Sequence, residues 1–176
     1  MIATQRLMIR PITIVDWKAI QAIWIDQSKS TYAPYIKPKP LDGPSVYHQI
    51  QRWIADSGKE HQYWAVCLAA TVIGYMTLHK REHGYEIGYC YHSAYQGKGY
   101  ARESLAAITE HVFVHGTSRV MAQTALKNIP SVKLLLSLGF KQIGTKEVSF
   151  FQDERGNDIT FDDGVFELNS CLLTSS

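Results

Sequence analysis

A glycine-rich turn between a strand-like run and a helix-like run constrains this chain more than any other feature. Tyr85 to His92 is an aromatic-rich run that predicts a strand, and Gly99 to His115 carries apolar residues at helical spacing. Between them, Gly97 and Gly99 lack the side chains that would keep the backbone away from a ligand. The first turn of a helix also presents unpaired N–H groups and a partial positive charge. Phosphate oxygens satisfy both, so the turn predicts a phosphate or pyrophosphate site, with a tight structural turn as the alternative.

The register of this turn excludes two other phosphate-binding loops. A P-loop requires Ser or Thr after its Gly-Lys pair, whereas Gly99 follows Lys98. The dinucleotide fingerprint requires Gly or Ala where Arg102 lies, and it should follow the first strand of a βαβ unit. Lys98 and Arg102 add positive charge beside the predicted site.

The composition is that of a folded protein and limits the classes of partner. Of the 176 residues, 45% are apolar and 19% are charged, which favours one domain spanning residues 1–176. The net charge is only +2 and the Lys and Arg residues are scattered, so we expect no nucleic-acid partner. No uncharged apolar run is long enough to span a bilayer, so we expect no membrane partner either.

The cysteines and histidines predict neither disulfides nor a metal site. Cys67, Cys90 and Cys171 are widely spaced and include no CxxC pair, which favours reduced thiols and a cytoplasmic location. His111 and His115 have the spacing of two metal ligands on a helix, but no third ligand is apparent in the sequence. We therefore expect no metal.

The order of elements predicts an α+β fold. The pattern β-α-α-β-β-β-α-β-α-β-β, without repeats or linkers, indicates a mixed, mostly antiparallel seven-stranded sheet covered by helices. A capping box of Thr13 and Asp16 opens the first helix. The seven predicted strands are Leu7 to Pro11, Tyr63 to Ala69, Val72 to His79, Tyr85 to His92, Val120 to Ala125, Lys141 to Phe151 and Val165 to Leu172.

Three segments together resemble one family. Gln96-Gly97-Lys98-Gly99-Tyr100-Ala101 is similar to the Q/R-x-x-G-x-G/A motif of the GNAT superfamily of N-acetyltransferases. Asn128, Ser131 and Leu138-Gly139-Phe140 resemble that superfamily's second cofactor-contacting segment. Glu86-Ile87-Gly88-Tyr89 is similar to the branch that contains ribosomal-protein N-terminal acetyltransferases. The resemblance covers roughly Leu7 to Phe151 and implies the GNAT-type acyl-CoA N-acyltransferase fold.

The resemblance also implies how acetyl-CoA would bind, in a wedge between two splayed parallel strands. Main-chain groups around Cys90 and Tyr91 would pair with the pantetheine arm, and one N–H would polarise the thioester carbonyl. Asn128 would contact the pantetheine from the far side of the wedge. The pyrophosphate would lie on the backbone of the motif that begins at Gln96, at Gly97, Lys98, Gly99, Tyr100, Ala101 and Arg102.

Proton transfer is less defined by the sequence than cofactor binding. Many family members use a Tyr seven residues after the Asn as the acid that protonates the thiolate, and here that position is Leu135. Ser131 is the proposed substitute, with a helix N-cap as its alternative role. Glu86 is the leading candidate for the base, ahead of His79 and His92, and a surface carboxylate is its alternative role.

The sequence leaves two classes of acceptor open. We expect a primary amine, either a protein α-amine or a small molecule, with Tyr32, Tyr35 and Tyr47 as a possible aromatic wall around it. A buried structural role for the Cys90 thiol is favoured over a covalent acyl-enzyme. A non-catalytic acyl-CoA-binding regulatory module is the alternative function, and the last two strands could form a homodimer edge.

Overall fold

Four helices and eight strands make up the regular structure of the described residues. The computed structural model describes residues 1–58 and 60–170. The strands β1 to β8 are Ile2–Ala3, Leu7–Pro11, His61–Leu68, Thr71–Arg81, Gly84–Tyr91, Arg119–Ala125, Lys141–Gln152 and Asp158–Asn169. The helices α1 to α4 are Trp17–Ser28, Gly43–Asp56, Tyr100–Val114 and Ile129–Ser137. None of these helices combines the length and the apolar character needed to cross a bilayer.

All eight strands join one mixed sheet, in the order β1-β2-β3-β4-β5-β6-β8-β7. The only parallel pair among the described strands is β5 with β6, and the other pairs are antiparallel. The α+β class is confirmed, but the predicted count of seven strands was one short. The missed strand, β1, pairs with β2 through two residues, which is too short to show an alternating pattern.

The last hairpin is also longer than the sequence predicted. The final strand starts at Asp158 instead of Val165, and the polar segment before it is a tight turn. The Asp153 carboxylate accepts hydrogen bonds from the backbone N–H groups of Arg155 at 2.8 Å and Asn157 at 2.9 Å, which closes this turn. The end of the predicted strand, Cys171 and Leu172, lies outside the described residues.

Helices cover both faces of the sheet, so the apolar residues form two cores. On one face, α3 and α4 bury Leu105, Ile108 and Leu135 against the sheet. On the other face, α1 and α2 bury a second cluster that includes Ile20, Trp24, Ile50, Trp53 and Tyr75. The buried face of α1 consists of Ile20, Ile23 and Trp24, and Trp17 is only partly covered.

The two parallel strands separate halfway along their length. β5 and β6 pair only through Tyr85–Ile87 and Val120–Ala122. Beyond Ile87, β5 stays on β4 as far as Tyr91, and β6 stays on β8 as far as Ala125. The edge of β5 that faces β6 is therefore open from Gly88 onward, which produces a wedge between the two strands.

A buried ion pair fixes the start of α1. The Asp16 carboxylate accepts two hydrogen bonds of 2.8 Å from the Arg10 guanidinium and one of 2.8 Å from the Thr13 N–H. The Asp16 side chain reaching back to Thr13 confirms this part of the predicted capping box. Burial alone would raise the pKa of Asp16, but the hydrogen bonds from Arg10 and Thr13 hold it below its ordinary value.

We expect Asp16→Asn to reduce the free energy of unfolding by about 3 kcal/mol, because it leaves the Arg10 charge without its carboxylate partner. Denaturant unfolding at neutral pH measures this. Since the folded pKa of Asp16 is depressed, its contribution is fully present above the ordinary value of 3.8 and is lost as the pH falls from that value through the lower folded pKa. The acid-induced loss of stability should therefore be shallower in the variant.

Glu60→Gln is the matched control for this prediction. It removes a carboxylate from the exposed Lys80–Glu60 pair, which should change stability by less than about 1 kcal/mol. An equal decrease in the free energy of unfolding of the two variants would show that the buried Asp16 pair stabilises the fold no more than an exposed pair does.

Candidate functional site

The predicted phosphate loop has the backbone geometry that an anion requires. Gly97 and Gly99 have φ values of 71° and 81°, in the left-handed region that favours glycine. The first backbone hydrogen bond of α3 runs from the N–H of Glu103 to the carbonyl of Gly99 at 3.0 Å. The N–H groups of Tyr100, Ala101 and Arg102 precede that bond, so they have no carbonyl partner within the helix. A Cβ on Gly97 would meet nothing within 4 Å, so a ligand can approach the backbone there.

Two of the predicted side chains in this loop stabilise the loop itself. Gln96 donates from Nε2 to the carbonyl of Tyr91 at 2.8 Å. Lys98 donates from Nζ to the carbonyl of Ala94, also at 2.8 Å. These two bonds fasten the loop to the end of β5 and to the short 3-10 turn Ser93–Tyr95 that follows it. The main chain, more than these side chains, is therefore what the loop offers a phosphate.

Arg6 is a residue of this site that the sequence did not reveal. Its Nε lies 2.7 Å from the Glu103 carboxylate in the first turn of α3, and its Nη1 donates to the Lys98 carbonyl at 3.0 Å. Its guanidinium lies 4.5 Å from the centroid of the Tyr100 ring. No local pattern signals these contacts, because Arg6 and Glu103 are 97 positions apart.

This contact changes the electrostatics at the start of α3. An unpaired Glu103 carboxylate would repel a phosphate at the helix N-terminus. Burial alone would raise the pKa of Glu103, but hydrogen bonds from Thr4 and Arg6 keep it below its ordinary value. Glu103 is thus a charged partner of Arg6, and the cation offsets the negative charge beside the loop.

The open edge of β5 supplies one wall of the wedge. Of the two residues predicted to offer main-chain groups, only Tyr91 directs them at this open edge, because alternate residues of a strand bond to the same neighbour and the His92 N–H bonds to Ile73 of β4. The prediction for the main chain of Cys90 was wrong, since its carbonyl faces Gly74 of β4. Burial raises the pKa of the Cys90 thiol to about 12, so it remains protonated at neutral pH. A buried, protonated thiol is a poor nucleophile, in agreement with the structural role favoured for this side chain.

A hydrogen bond between two hydroxyl groups crosses the wedge. Tyr89 Oη on β5 lies 2.7 Å from Ser131 Oγ in the first turn of α4, the helix that follows β6. Burial raises the pKa of Tyr89 to about 12, despite the opposing effect of the Ser131 hydrogen bond. Tyr89 was named only as part of the family resemblance, and its contact with Ser131 had no signal in the sequence.

The helix cap of α4 is Asn128, and not Ser131. Asn128 Oδ1 accepts a hydrogen bond from the Ser131 N–H at 3.4 Å, so the alternative role considered for Ser131 was wrong. Leu135, at the position where many relatives place an acid, is fully buried in the core below α4. The hydroxyl groups of Tyr89 and Ser131 therefore meet where Leu135 provides none.

The candidate base Glu86 lies on the opposite face, just before the strands separate. It is aligned with Met121 on β6 and with His79 on β4. Arg81 binds its carboxylate through Nε at 2.9 Å and Nη2 at 2.8 Å. His79 lies 3.0 Å from His61 between their Nδ1 atoms, and burial followed by the His61 charge lowers the pKa of His79. A neutral His79 can accept a proton at pH 7, so two groups on this face can serve as a base.

The predicted aromatic wall is divided between different neighbours. Tyr35 packs edge-on against Phe161 of β8 at 5.3 Å between ring centroids, whereas Tyr47 packs against Trp17 of α1 at 6.0 Å. Asp163, two residues after Phe161 on the same face of β8, has its pKa raised by burial. This face therefore combines aromatic rings with a half-buried carboxylate.

Comparison with known proteins gives one family. The model of the acetyltransferase (GNAT) domain matches residues 6–141. The uncharacterized N-acetyltransferase YnaD of Bacillus subtilis is 30% identical over 165 residues, which cover 89% of this chain and 90% of that protein. The matched region contains the loop, both strands of the wedge and α4.

Two solved structures illustrate the range of similar folds. The ribosomal-protein-S5-alanine acetyltransferase of Vibrio fischeri superposes with a TM-score of 0.78 at 19% identity, covering 95% of this chain and 94% of that one. A spermidine N-acetyltransferase SpeG chimera from Vibrio cholerae and hSSAT superposes with a TM-score of 0.79 at 19% identity, covering 98% and 100%. At these identities the likeness shows the fold alone.

We expect Arg6→Ala to weaken coenzyme A binding by about tenfold, since it leaves the Glu103 carboxylate unpaired beside the loop (about 1.4 kcal/mol). Adding Glu103→Gln to this variant should restore part of the affinity by removing the repelling charge. Titration calorimetry of the two single variants and the double variant measures both effects. An Arg6→Ala protein with unchanged affinity would contradict the electrostatic role of this ion pair.

Proposed function

The chain belongs to the acetyltransferase (GNAT) family, whose members use acetyl-CoA, and from this premise we propose that it acetylates a primary amine at the wedge between β5 and β6. The observation that carries this proposal is that the phosphate loop and the open edge of β5 form one continuous surface. The phosphate loop at the start of α3 and the open edge of β5 adjoin each other through the turn after Tyr91.

The residues present fit acetyl-CoA along that path. The pyrophosphate would bind the backbone N–H groups of residues 97–102, beside the Arg6–Glu103 pair. The pantetheine would extend along the open edge of β5, pairing with the main-chain groups of Tyr91 as an additional strand does. Asn128 would flank it from the far side, although its Oδ1 already caps α4.

Acetyl-CoA supplies an activated thioester, and the protein has to orient it and manage two protons. A backbone N–H of the open β5 edge would stabilise the negative charge that develops on the carbonyl oxygen. Glu86 or the neutral His79, acting through water, would accept the proton that the attacking amine loses. Ser131 would donate a proton to the departing sulfur, since Leu135 can donate none.

A cationic amine is the acceptor that the carboxylates and aromatic rings beside the wedge favour. Asp163 and Glu86 are carboxylates on the face that α1 and α2 cover, and Tyr35 and Phe161 add aromatic surface beside Asp163. Both groups attract an ammonium ion before it loses its proton. A protein α-amine and a polyamine share this chemistry, and the two structural relatives named above act on one class each.

We expect the protein to bind acetyl-CoA in titration calorimetry and to release coenzyme A when an accepted amine is added. The panel should contain N-terminal Ala and Ser peptides, spermidine and free amino acids, with thiol release and product mass as readouts. Absence of acetyl-CoA binding would refute the proposal. Binding without thiol release across the panel would instead favour a regulatory acyl-CoA-binding module.

We expect Gly97→Glu to weaken acetyl-CoA binding at least tenfold more than Gly97→Ala. Both variants carry the same strain of about 1–2 kcal/mol, because both place a side chain at a φ of 71°, and neither meets a neighbour within 4 Å. Only the glutamate adds a negative charge that repels the pyrophosphate. Calorimetry together with melting temperatures separates the two effects, and equal affinities would mean that the pyrophosphate binds elsewhere.

A further inference from the structure

The departing thiolate needs a proton donor that the core of α4 does not provide. Leu135 is fully buried and carries no proton that can be transferred. Ser131 is one turn earlier in the same helix, but an isolated serine hydroxyl is a weak acid whose proton can point in several directions. A second group that fixes this proton would make Ser131 a more effective donor.

Tyr89 is placed to do this. It lies two residues beyond the last β5 residue that pairs with β6. Ser131 lies in the first turn of α4, the helix that follows β6. Their hydroxyl oxygens are 2.7 Å apart, so the contact joins the two walls of the wedge. Among the described residues, no other hydrogen-bond partner of Tyr89 Oη is found.

The chemistry of the two hydroxyl groups favours one direction for this bond. A phenol is a stronger acid than an alcohol, so it is the better donor, and the alcohol is the better acceptor. Burial raises the pKa of Tyr89 to about 12, so its proton is present at neutral pH. When Tyr89 donates, the proton of Ser131 is not used in the pair and can point into the wedge.

We infer that Tyr89 is a positioning residue that donates its hydroxyl proton to Ser131 Oγ and thereby directs the proton of Ser131 at the departing sulfur. This inference rests on the proposed function, in which Ser131 is the acid. It extends the catalytic group from α4 to β5, where the sequence gives no indication of it.

In the proposed transfer, each bond and each proton can be followed through Tyr89 and Ser131. The N–C bond forms as the C–S bond breaks, and the electron pair of the C–S bond stays on sulfur. Sulfur takes the Ser131 proton, and Ser131 takes the Tyr89 proton. The proton lost by the amine leaves through the base and water, and a water molecule returns a proton to Tyr89 after coenzyme A departs.

The test uses acetyl-CoA and hydroxylamine with the full chain. Hydroxylamine is largely unprotonated at neutral pH and small, so no base has to deprotonate it before attack, and the rate depends little on the unknown acceptor site. We expect Tyr89→Phe and Ser131→Ala each to lower kcat by about 100-fold while the KM for acetyl-CoA changes less than about twofold. The double variant should be no slower than Ser131→Ala, because both residues act through one proton.

Tyr75→Phe is the matched control. It also removes a tyrosine hydroxyl, which here accepts one hydrogen bond from Trp24 Nε1 at 3.0 Å, but this hydroxyl lies on β4 within the core below α1. It should lower the melting temperature and leave kcat within about twofold. If Tyr75→Phe lowered kcat as much as Tyr89→Phe does, the effect would come from a general loosening of the sheet, and the inference would be overturned.

The remaining outcomes separate this inference from the proposed function. Unchanged kcat in Tyr89→Phe, with a slow Ser131→Ala, overturns the role of Tyr89 alone. Unchanged kcat in Ser131→Ala refutes Ser131 as the acid, and additive losses in the double variant refute action through Ser131. A wild-type protein that binds acetyl-CoA but does not release coenzyme A with hydroxylamine faster than the reaction without protein overturns the catalytic proposal as well.

Discussion

The separation of β5 from β6 is the constraint on which the rest of the site depends. An open strand edge inside a sheet leaves backbone N–H and carbonyl groups without partners, which is unfavourable unless something else binds them. The structure maintains this opening because each strand is held by its other neighbour. β4 pairs with β5 as far as Tyr91, and β8 pairs with β6 as far as Ala125. The neighbouring strands thus hold the wedge open, as the proposed binding of an extended ligand requires.

The loop after β5 adds the charged groups at the start of α3 to the hydrogen-bonding groups of the wedge. Its glycines expose the N–H groups at the start of α3, but Glu103 in the first helical turn brings a negative charge to the same place. Arg6, from the far edge of the sheet, offsets this charge and also holds the Lys98 carbonyl. The proposed phosphate site therefore depends on β2 packing correctly beside α3, which would couple cofactor affinity to the fold around Arg6.

The elements that depend on neighbouring residues could be predicted from the sequence, whereas the contacts between residues far apart in the chain could not. Helical spacing of apolar residues located α3, the capping box located the start of α1, and the glycine pattern located the loop, because all three depend on neighbouring residues. β1 was too short to alternate, and the turn at residues 153–157 was mistaken for a longer break between strands. The Arg6–Glu103 and Tyr89–Ser131 contacts span 97 and 42 positions, so only the packed sheet brings them together. Ser131 was identified from the sequence, but its partner was not.

The capping of α4 explains why a serine can carry a catalytic role at this position. A helix start needs a side-chain acceptor for its unpaired N–H groups, and Ser131 would have been occupied if it had filled that need. Asn128 fills it instead, through Oδ1 to the Ser131 N–H, which also fixes the backbone of the residue that carries the hydroxyl. The Ser131 Oγ then has Tyr89 as its partner from across the wedge. Separate groups therefore hold the backbone and the side chain of Ser131, and in the proposed reaction this arrangement would leave its proton available to the sulfur.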